Sequence, residues 1–163
     1  YVLQYEQDAF IYNGVTVTPG YEAAGLANYD RLPGTIPEWR GAFYAEYNNG
    51  PHSLRATGNY VDGVPDNRGP TVVNTGASAV PCTVANATST TGCQLITFGQ
   101  EVDPFATLDL TYRVFLPWNT TLTASVLNLT DEDPSASRLE YSYDPAIGNV
   151  YGRNFKIGLR KKF

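Results

Sequence analysis

No methionine occurs in these 163 residues, only one histidine does, and no run of about 18 apolar residues is present. The missing apolar run excludes a transmembrane helix. It leaves open a transmembrane β-barrel, whose strands turn only every second residue to lipid. Positive charge is also short: eleven Lys and Arg stand against sixteen Asp and Glu, for a formal charge of −5 and an isoelectric point near 4.7. That balance offers no basic field for capturing nucleic acid, and no nucleic-acid partner is expected. The single histidine, His52, follows Pro51 in a turn and has no nucleophile motif near it, so neither a catalytic triad nor an enzymatic activity is expected. With two cysteines and one histidine the four ligands zinc prefers are not assembled, and the acids of "TDEDP" lack the regular oxygen offsets of a calcium loop. No metal and no cofactor are expected.

What the chain has in quantity is aromatics (13%), fifteen Gly and eleven Pro, a composition of strands and turns that predicts an all-β chain. It starts in "YVLQYEQ", already alternating, with no charged leader or cleavage-type segment in front, and so reads as a piece of a longer polypeptide. Six strands are predicted, at roughly 1–12, 39–47, 53–61, 106–115, 121–129 and 151–163. In "WRGAFYAEY", Trp39, Gly41, Phe43, Ala45 and Tyr47 share one face while Arg40, Ala42, Tyr44 and Glu46 share the other. The Asn49-Gly50 pair then predicts a two-residue hairpin turn, which would set Ala45 opposite Leu54 and Phe43 opposite Ala56. In the next hairpin, a turn centred on Trp118 sets Val114 against Leu122, Tyr112 against Ala124 and Leu110 against Val126. In both, apolar residues meet apolar ones and polar meet polar.

Connection lengths carry the next step. The two hairpin turns are a few residues long, whereas the segments near 62–105 and 130–150 far exceed an ordinary loop. Strands of about ten residues with short and long connections in strict alternation are the pattern of an outer-membrane barrel. Trp39, Tyr47, Tyr60 and Trp118 near strand ends suit a membrane interface, where an amphipathic ring keeps one edge wet. The competing reading is a secreted, soluble β-sandwich in which those aromatics fill a core and exposed tyrosines such as Tyr141 and Tyr143 bind carbohydrate.

The C-terminal third adds a resemblance. "SVLNLTDEDP", the later "YDP" and the final "GRNFKIGLRKKF" resemble the closing strands and last external loop of TonB-dependent outer-membrane transporters, with Val126, Asn128, Leu129 and Asp131 in the first motif and Gly152, Arg153 and Phe163 in the last. The likeness covers roughly residues 104–163, and "LPGTIPEWRGAFYAEY" extends it to about residue 33. The sequence departs from the family pattern at Lys161, where an aromatic is usual. The resemblance implies a bacterial outer-membrane receptor: a barrel of twenty-two strands around an N-terminal plug, driven by the TonB complex to import a scarce ligand such as an iron chelate, cobalamin or carbohydrate. This chain would supply the last six strands, with the plug and the remaining strands outside it. Phe155, Ile157, Leu159 and Phe163 would form the barrel-assembly signal, facing lipid, while Lys156, Arg160 and Lys162 face the interior.

Two further groups of residues are singled out. Cys82 and Cys93 bracket the Ser-, Thr- and Gly-rich segment "PCTVANATSTTGC", and a disulfide suits both their spacing and an oxidising compartment, with a reduced pair or a metal pair as alternatives. Arg138, Tyr141, Tyr143 and Asp144 concentrate aromatic and charged side chains in the last long loop and are candidate ligand contacts. Asn86, Asn119 and Asn128 each begin an Asn-x-Thr sequon, which carries no meaning in a bacterial barrel.

Overall fold

The computed structural model describes residues 1–76, 79–87 and 92–163. Among them are thirteen strands: β1 (Glu6–Gln7), β2 (Phe10–Tyr12), β3 (Val15–Thr18), β4 (Tyr21–Glu22), β5 (Arg40–Asn49), β6 (His52–Val61), β7 (Val64–Pro65), β8 (Thr71–Asn74), β9 (Cys93–Ile96), β10 (Glu101–Val102), β11 (Phe105–Leu116), β12 (Thr120–Leu127) and β13 (Asn154–Lys161). The five long ones form a single antiparallel sheet in the order β13-β12-β11-β6-β5. The other eight pair into two-stranded ribbons: β1 with β4, β2 with β3, β7 with β10 and β8 with β9. The chain is all-β and antiparallel.

Alternation places the side chains. Phe43, Ala45 and Tyr47 of β5, Leu54 and Ala56 of β6, Leu110 and Tyr112 of β11, Leu122, Ala124 and Val126 of β12, and Phe155, Ile157 and Leu159 of β13 fall on one face through the paired registers. Arg55, Asp109, Thr111, Arg113, Thr123, Ser125, Lys156 and Arg160 fall on the other.

Turn chemistry decides the registers. Between β11 and β12 the predicted pairing is observed, Val114 with Leu122, Tyr112 with Ala124 and Leu110 with Val126, across a turn in which Trp118 and Asn119 take φ of 60° and 54°. The β5–β6 register is two residues away from the one expected: Ala45 pairs with Ala56 and Phe43 with Gly58. A turn centred on Asn49-Gly50 needs φ > 0 at both residues, and only Gly50, at 57°, has it. Pro51 is held at negative φ by its ring, so Gly50-Pro51 takes the sign pattern of a type II′ turn and Asn49 pairs with His52. A two-residue shift keeps the faces, because side chains repeat every second residue.

The predicted strand over 1–12 is also corrected. Only Glu6–Gln7 and Phe10–Tyr12 are extended and paired, and neither joins the five-stranded sheet. Asn13 and Gly14, at φ 49° and 77°, fold Phe10–Tyr12 back onto Val15–Thr18, and the Glu22 carboxylate receives the Tyr5 amide at 2.6 Å. A local turn has captured the segment. The chain nevertheless starts beside the sheet, with the Val2 amide bonded to the Glu38 carbonyl at 2.9 Å and Tyr1 lying 4.1 Å from the Trp39 ring.

The buried core gathers at one end of the sheet rather than along its faces. It is Ala27, Val64, Val102, Phe105 and Ile147, with Tyr29 and Val61 against it, drawn from four distant stretches that meet where β6 ends and β11 begins. The connection between β6 and β11 is therefore a built arm, pinned by the Val64–Val102 pair. At Gly63 this arm passes so close to the opposing backbone that an added Cβ would lie 2.4 Å from the Val102 carbonyl oxygen and 2.9 Å from the Pro104 nitrogen. Backbone cannot rotate aside as a side chain does, so Gly63→Ala is expected to cost about 1–3 kcal/mol, the usual penalty of overpacking. Urea unfolding of the purified variant against the parent measures it, and an unchanged midpoint would show that the arm yields freely.

Candidate functional site

The two sequence motifs near the C-terminus meet in space. β12 stops at Leu127 because Asn128 turns left-handed at φ 51°, with its side chain bridging a turn: Nδ2 donates to the Glu132 carbonyl and Oδ1 accepts from the Glu132 amide, both at 2.9 Å. Asp131, also left-handed at φ 60°, then points its carboxylate at the start of the last strand, where the Arg153 amide donates to Oδ1 at 2.6 Å. Gly152 precedes it at φ 57°, a conformation a side chain would strain. The residues 126–131 and 152–153 thus clamp the base of the last long loop.

Above that clamp, the polar face of the sheet and the loop at 145–152 enclose an open groove of about 920 Å³. Its floor is a hydrogen-bonded set: Asn59 Nδ2 donates to Asp109 Oδ2 at 3.0 Å and to Thr107 Oγ1 at 3.2 Å, and the Asn128 amide donates to Asp109 Oδ1 at 2.8 Å. Arg40 donates to the Ala146 carbonyl across the top. Tyr151, Lys156 and residues 146–149 complete a lining that mixes apolar walls with donors and acceptors. Chemically this suits a polar ligand held by several weak contacts.

The four candidate contact residues divide. Arg138 is committed internally, donating to the carbonyls of Gly69, Ile96 (3.2 Å) and Phe98 (3.4 Å), with its guanidinium 3.6 Å from the Asp66 carboxylate. Asp144 is buried, receiving Tyr29 Oη at 2.9 Å, Thr35 Oγ1 at 2.5 Å and the Ala146 amide at 2.8 Å. Both hold loops together: Asp144 is buried, while Arg138 is partly exposed and also lines a smaller groove with Arg68, Thr71 and Phe98. Tyr141 is exposed and Tyr143 half-buried, with ring centroids 6.4 Å apart and tilted, and these two remain accessible.

Sequence reasoning missed Asp66, Tyr29 and Thr35, the partners that occupy Arg138 and Asp144. Asp66 has a fully buried carboxylate that Arg68 reaches at 2.7 Å. Burial alone would raise its pKa, but hydrogen bonds from Arg68 and the charges of Arg68 and Arg138 outweigh it and hold the carboxyl below the usual range. Burial, reinforced by the neighbouring Asp144, pushes the Tyr29 phenol above its usual range against the opposing Ser137 hydroxyl. No signal in a single sequence marks the pairing of Asp66 with Arg138 or of Tyr29 and Thr35 with Asp144, since these partners lie far apart along the chain.

Cys82 and Cys93 are joined in a disulfide, with Cys93 buried at the start of β9. The Asn86 sequon is completed at residue 88, which lies outside the described residues. Closing this short loop is worth about 3 kcal/mol in the chain-entropy model. Reduction is therefore expected to expose the β8–β9 ribbon while leaving the five-stranded sheet intact, read by hydrogen exchange at Val72 and Leu95 against Leu110. Equal protection before and after reduction would show that the ribbon needs no staple.

Along β13, Phe155, Ile157 and Leu159 are 73, 82 and 71% exposed on the apolar face, and Phe163 lies beyond the strand with the Lys161 amine 5.2 Å from its ring centroid. His52 sits at the β5–β6 turn against Tyr112, Nδ1 to Oη 2.5 Å. No protein-family model matches this sequence, and comparison with curated proteins and with solved structures found no match.

Proposed function

We propose that this chain is part of the wall of a bacterial outer-membrane transport barrel, of the TonB-dependent receptor type, with its long connections on the outside. The observation that carries the reading is the sheet with two unlike faces, the apolar one largely exposed among the described residues. Phe43, Tyr47, Leu54, Phe155, Ile157 and Leu159 leave 46–82% of their surface open on that face. Soluble monomers rarely tolerate a contiguous apolar patch beyond a few hundred Å². Against lipid the same face is at no disadvantage. A β-sandwich needs a second sheet over it, and among the described residues the remaining strands make only two-stranded ribbons.

The edges support the same reading. β5 and β13 each present one unpaired ladder, which hydrocarbon does not accept, and five strands are fewer than the roughly eight with which known barrels begin. More strands must flank both edges, as the twenty-two-stranded family barrel provides. On this reading the polar face lines the interior, the groove over Asn59 and Asp109 lies near the outer mouth, and Tyr141 and Tyr143 are the loop residues that meet an incoming ligand. The plug and the TonB contact belong to other parts of the polypeptide.

The experiment is fractionation of the full-length protein followed by size exclusion with and without detergent. Recovery from the outer membrane, with monodisperse behaviour only in detergent and a heat-dependent shift in gel mobility, is the expected result. A monodisperse species in plain buffer would overturn the proposal in favour of a soluble module.

A further inference from the structure

The charge on this chain is unevenly placed. Although the total is −5, the polar face of the five-stranded sheet carries Arg40, Arg55, Arg113, Lys156 and Arg160 against Glu46 and Asp109. At the turn end the imbalance is sharper. A second groove, of about 700 Å³, lies there between β11, the Pro117–Asn119 turn, β12 and the chain after β13. Arg113, Arg160 and Lys162 line it together with Thr121, Thr123 and Trp118, and no carboxylate is in the lining.

Registry explains why the cations converge. Arg113 pairs across to Thr123 and Arg160 to Thr121, on consecutive strands of the same face, and the Lys162 amide is bonded to the Asn119 carbonyl at 3.1 Å, which holds the chain end beside the turn. Among the described residues neither the Arg113 nor the Arg160 side chain has a hydrogen-bond or ion-pair partner. Glu46, the nearer of the two acids on this face by register, accepts from Ser53 and Asn48 instead. Arg113 on β11 and Arg160 on β13 flank β12 with no carboxylate in the groove between them, and such a gathering of cations becomes favourable once an anion sits among them.

We propose that this turn-end groove is an oxyanion site for a phosphate group, held by the guanidinium forks of Arg113 and Arg160, the Lys162 ammonium and the hydroxyls of Thr121 and Thr123. Arginine presents its donors in a planar fork that matches phosphate bidentately, and threonine hydroxyls complete the shell. The phosphate has two sources: a free solute, or the headgroup of an anionic lipid reaching the rim beside Trp118. The site stands on the groove itself and does not depend on the transport reading.

Trp118 is 84% exposed and lines the groove, so it reports on occupancy directly. The other tryptophan of this sequence, Trp39, is at the far end of the sheet, and a Trp118→Phe variant titrated in parallel identifies the part of the signal that comes from Trp118. The test titrates folded full-length protein, in whichever of detergent or plain buffer keeps it monodisperse, with inorganic phosphate in one arm and with micelles doped with phosphatidylglycerol in the other, both against neutral glucose. A saturable change in Trp118 fluorescence is expected with phosphate, with lipid or with both, and the responding arm identifies the source. Arg113→Gln and Arg160→Gln should each weaken binding about tenfold, as expected for a lost charge-assisted contact, while Arg55→Gln, on the same face outside the groove, should leave it unchanged. No saturable response in either arm, or equal affinity in the Arg113→Gln/Arg160→Gln double variant, overturns the proposal. Unchanged far-ultraviolet circular dichroism in each variant separates lost binding from lost folding.

Discussion

Leu110→Arg is expected to abolish most assembly into membranes, while Thr111→Arg, one residue further on, is tolerated. Leu110 lies at the middle of β11 on the apolar face, paired with Ala56 on one side and Val126 on the other; Thr111 faces the opposite way, its hydroxyl 3.0 Å from Ser125 Oγ. Near the bilayer midplane an Arg on a lipid-facing strand position costs about 2–4 kcal/mol, whereas on the water-filled side the same side chain remains solvated. The comparison holds the added side chain and the strand constant and changes only the face. Folding yield in lipid vesicles, read by heat-dependent gel mobility, measures both. Equal tolerance of the two would mean that the apolar face does not meet lipid, and the membrane reading would lose its physical support.

Asp66→Ala is expected to be the most damaging change in the loops. The Asp66 carboxylate is fully buried beneath Arg68 and Arg138, and Arg138 also ties together the carbonyls of Gly69, Ile96 and Phe98. Removing one partner of a buried pair leaves uncompensated charge and costs about 3–5 kcal/mol; Arg68, about a third exposed, softens the loss on its own side. Arg138→Ala should loosen the same arm, so any fall in ligand affinity would come with faster proteolysis of 62–105. Acid should act likewise. A carboxyl held below its usual pKa stabilises the fold fully above about pH 4, the unfolded value, and that contribution is lost as pH falls through the lower folded value. Limited proteolysis at pH 3 and pH 7 checks this. Arg138→Ala protein with parental protease resistance would show that Arg138 is not needed to hold the arm.

Much of the sheet was legible because alternation is a local property. A period of two assigns every side chain of β5, β6, β11, β12 and β13 to a face, and a register error of two residues leaves the faces unchanged. That is why the β5–β6 hairpin could be misplaced at its turn and still present Phe43, Ala45 and Tyr47 correctly. The β11–β12 register was legible to the residue because its turn sits between two patterned strands that agree on one offset. The Cys82–Cys93 bond was the pairing that spacing and an oxidising compartment favoured over a reduced or metal pair, and it is present.

The loops were another matter. Whether Arg138 and Asp144 face a ligand or the protein depends on which distant segments reach them, and Asp66, Tyr29 and Thr35 are 72, 115 and 109 residues away from the partners they bind. Periodicity carries no information across such gaps, and the alternating run at 1–12 lost its place to an Asn13-Gly14 turn for the same reason: local pattern proposes a strand, and pairing energy selects its neighbour. The amino-acid order by itself determined the five long strands and their faces and favoured the disulfide, since each follows from residues adjacent or nearly so. Only the tertiary structure decided which loop charges neutralise one another and which cations, Arg113, Arg160 and Lys162, are left facing a groove, because burial and electrostatic pairing are properties of contacts between segments that meet only in the folded chain.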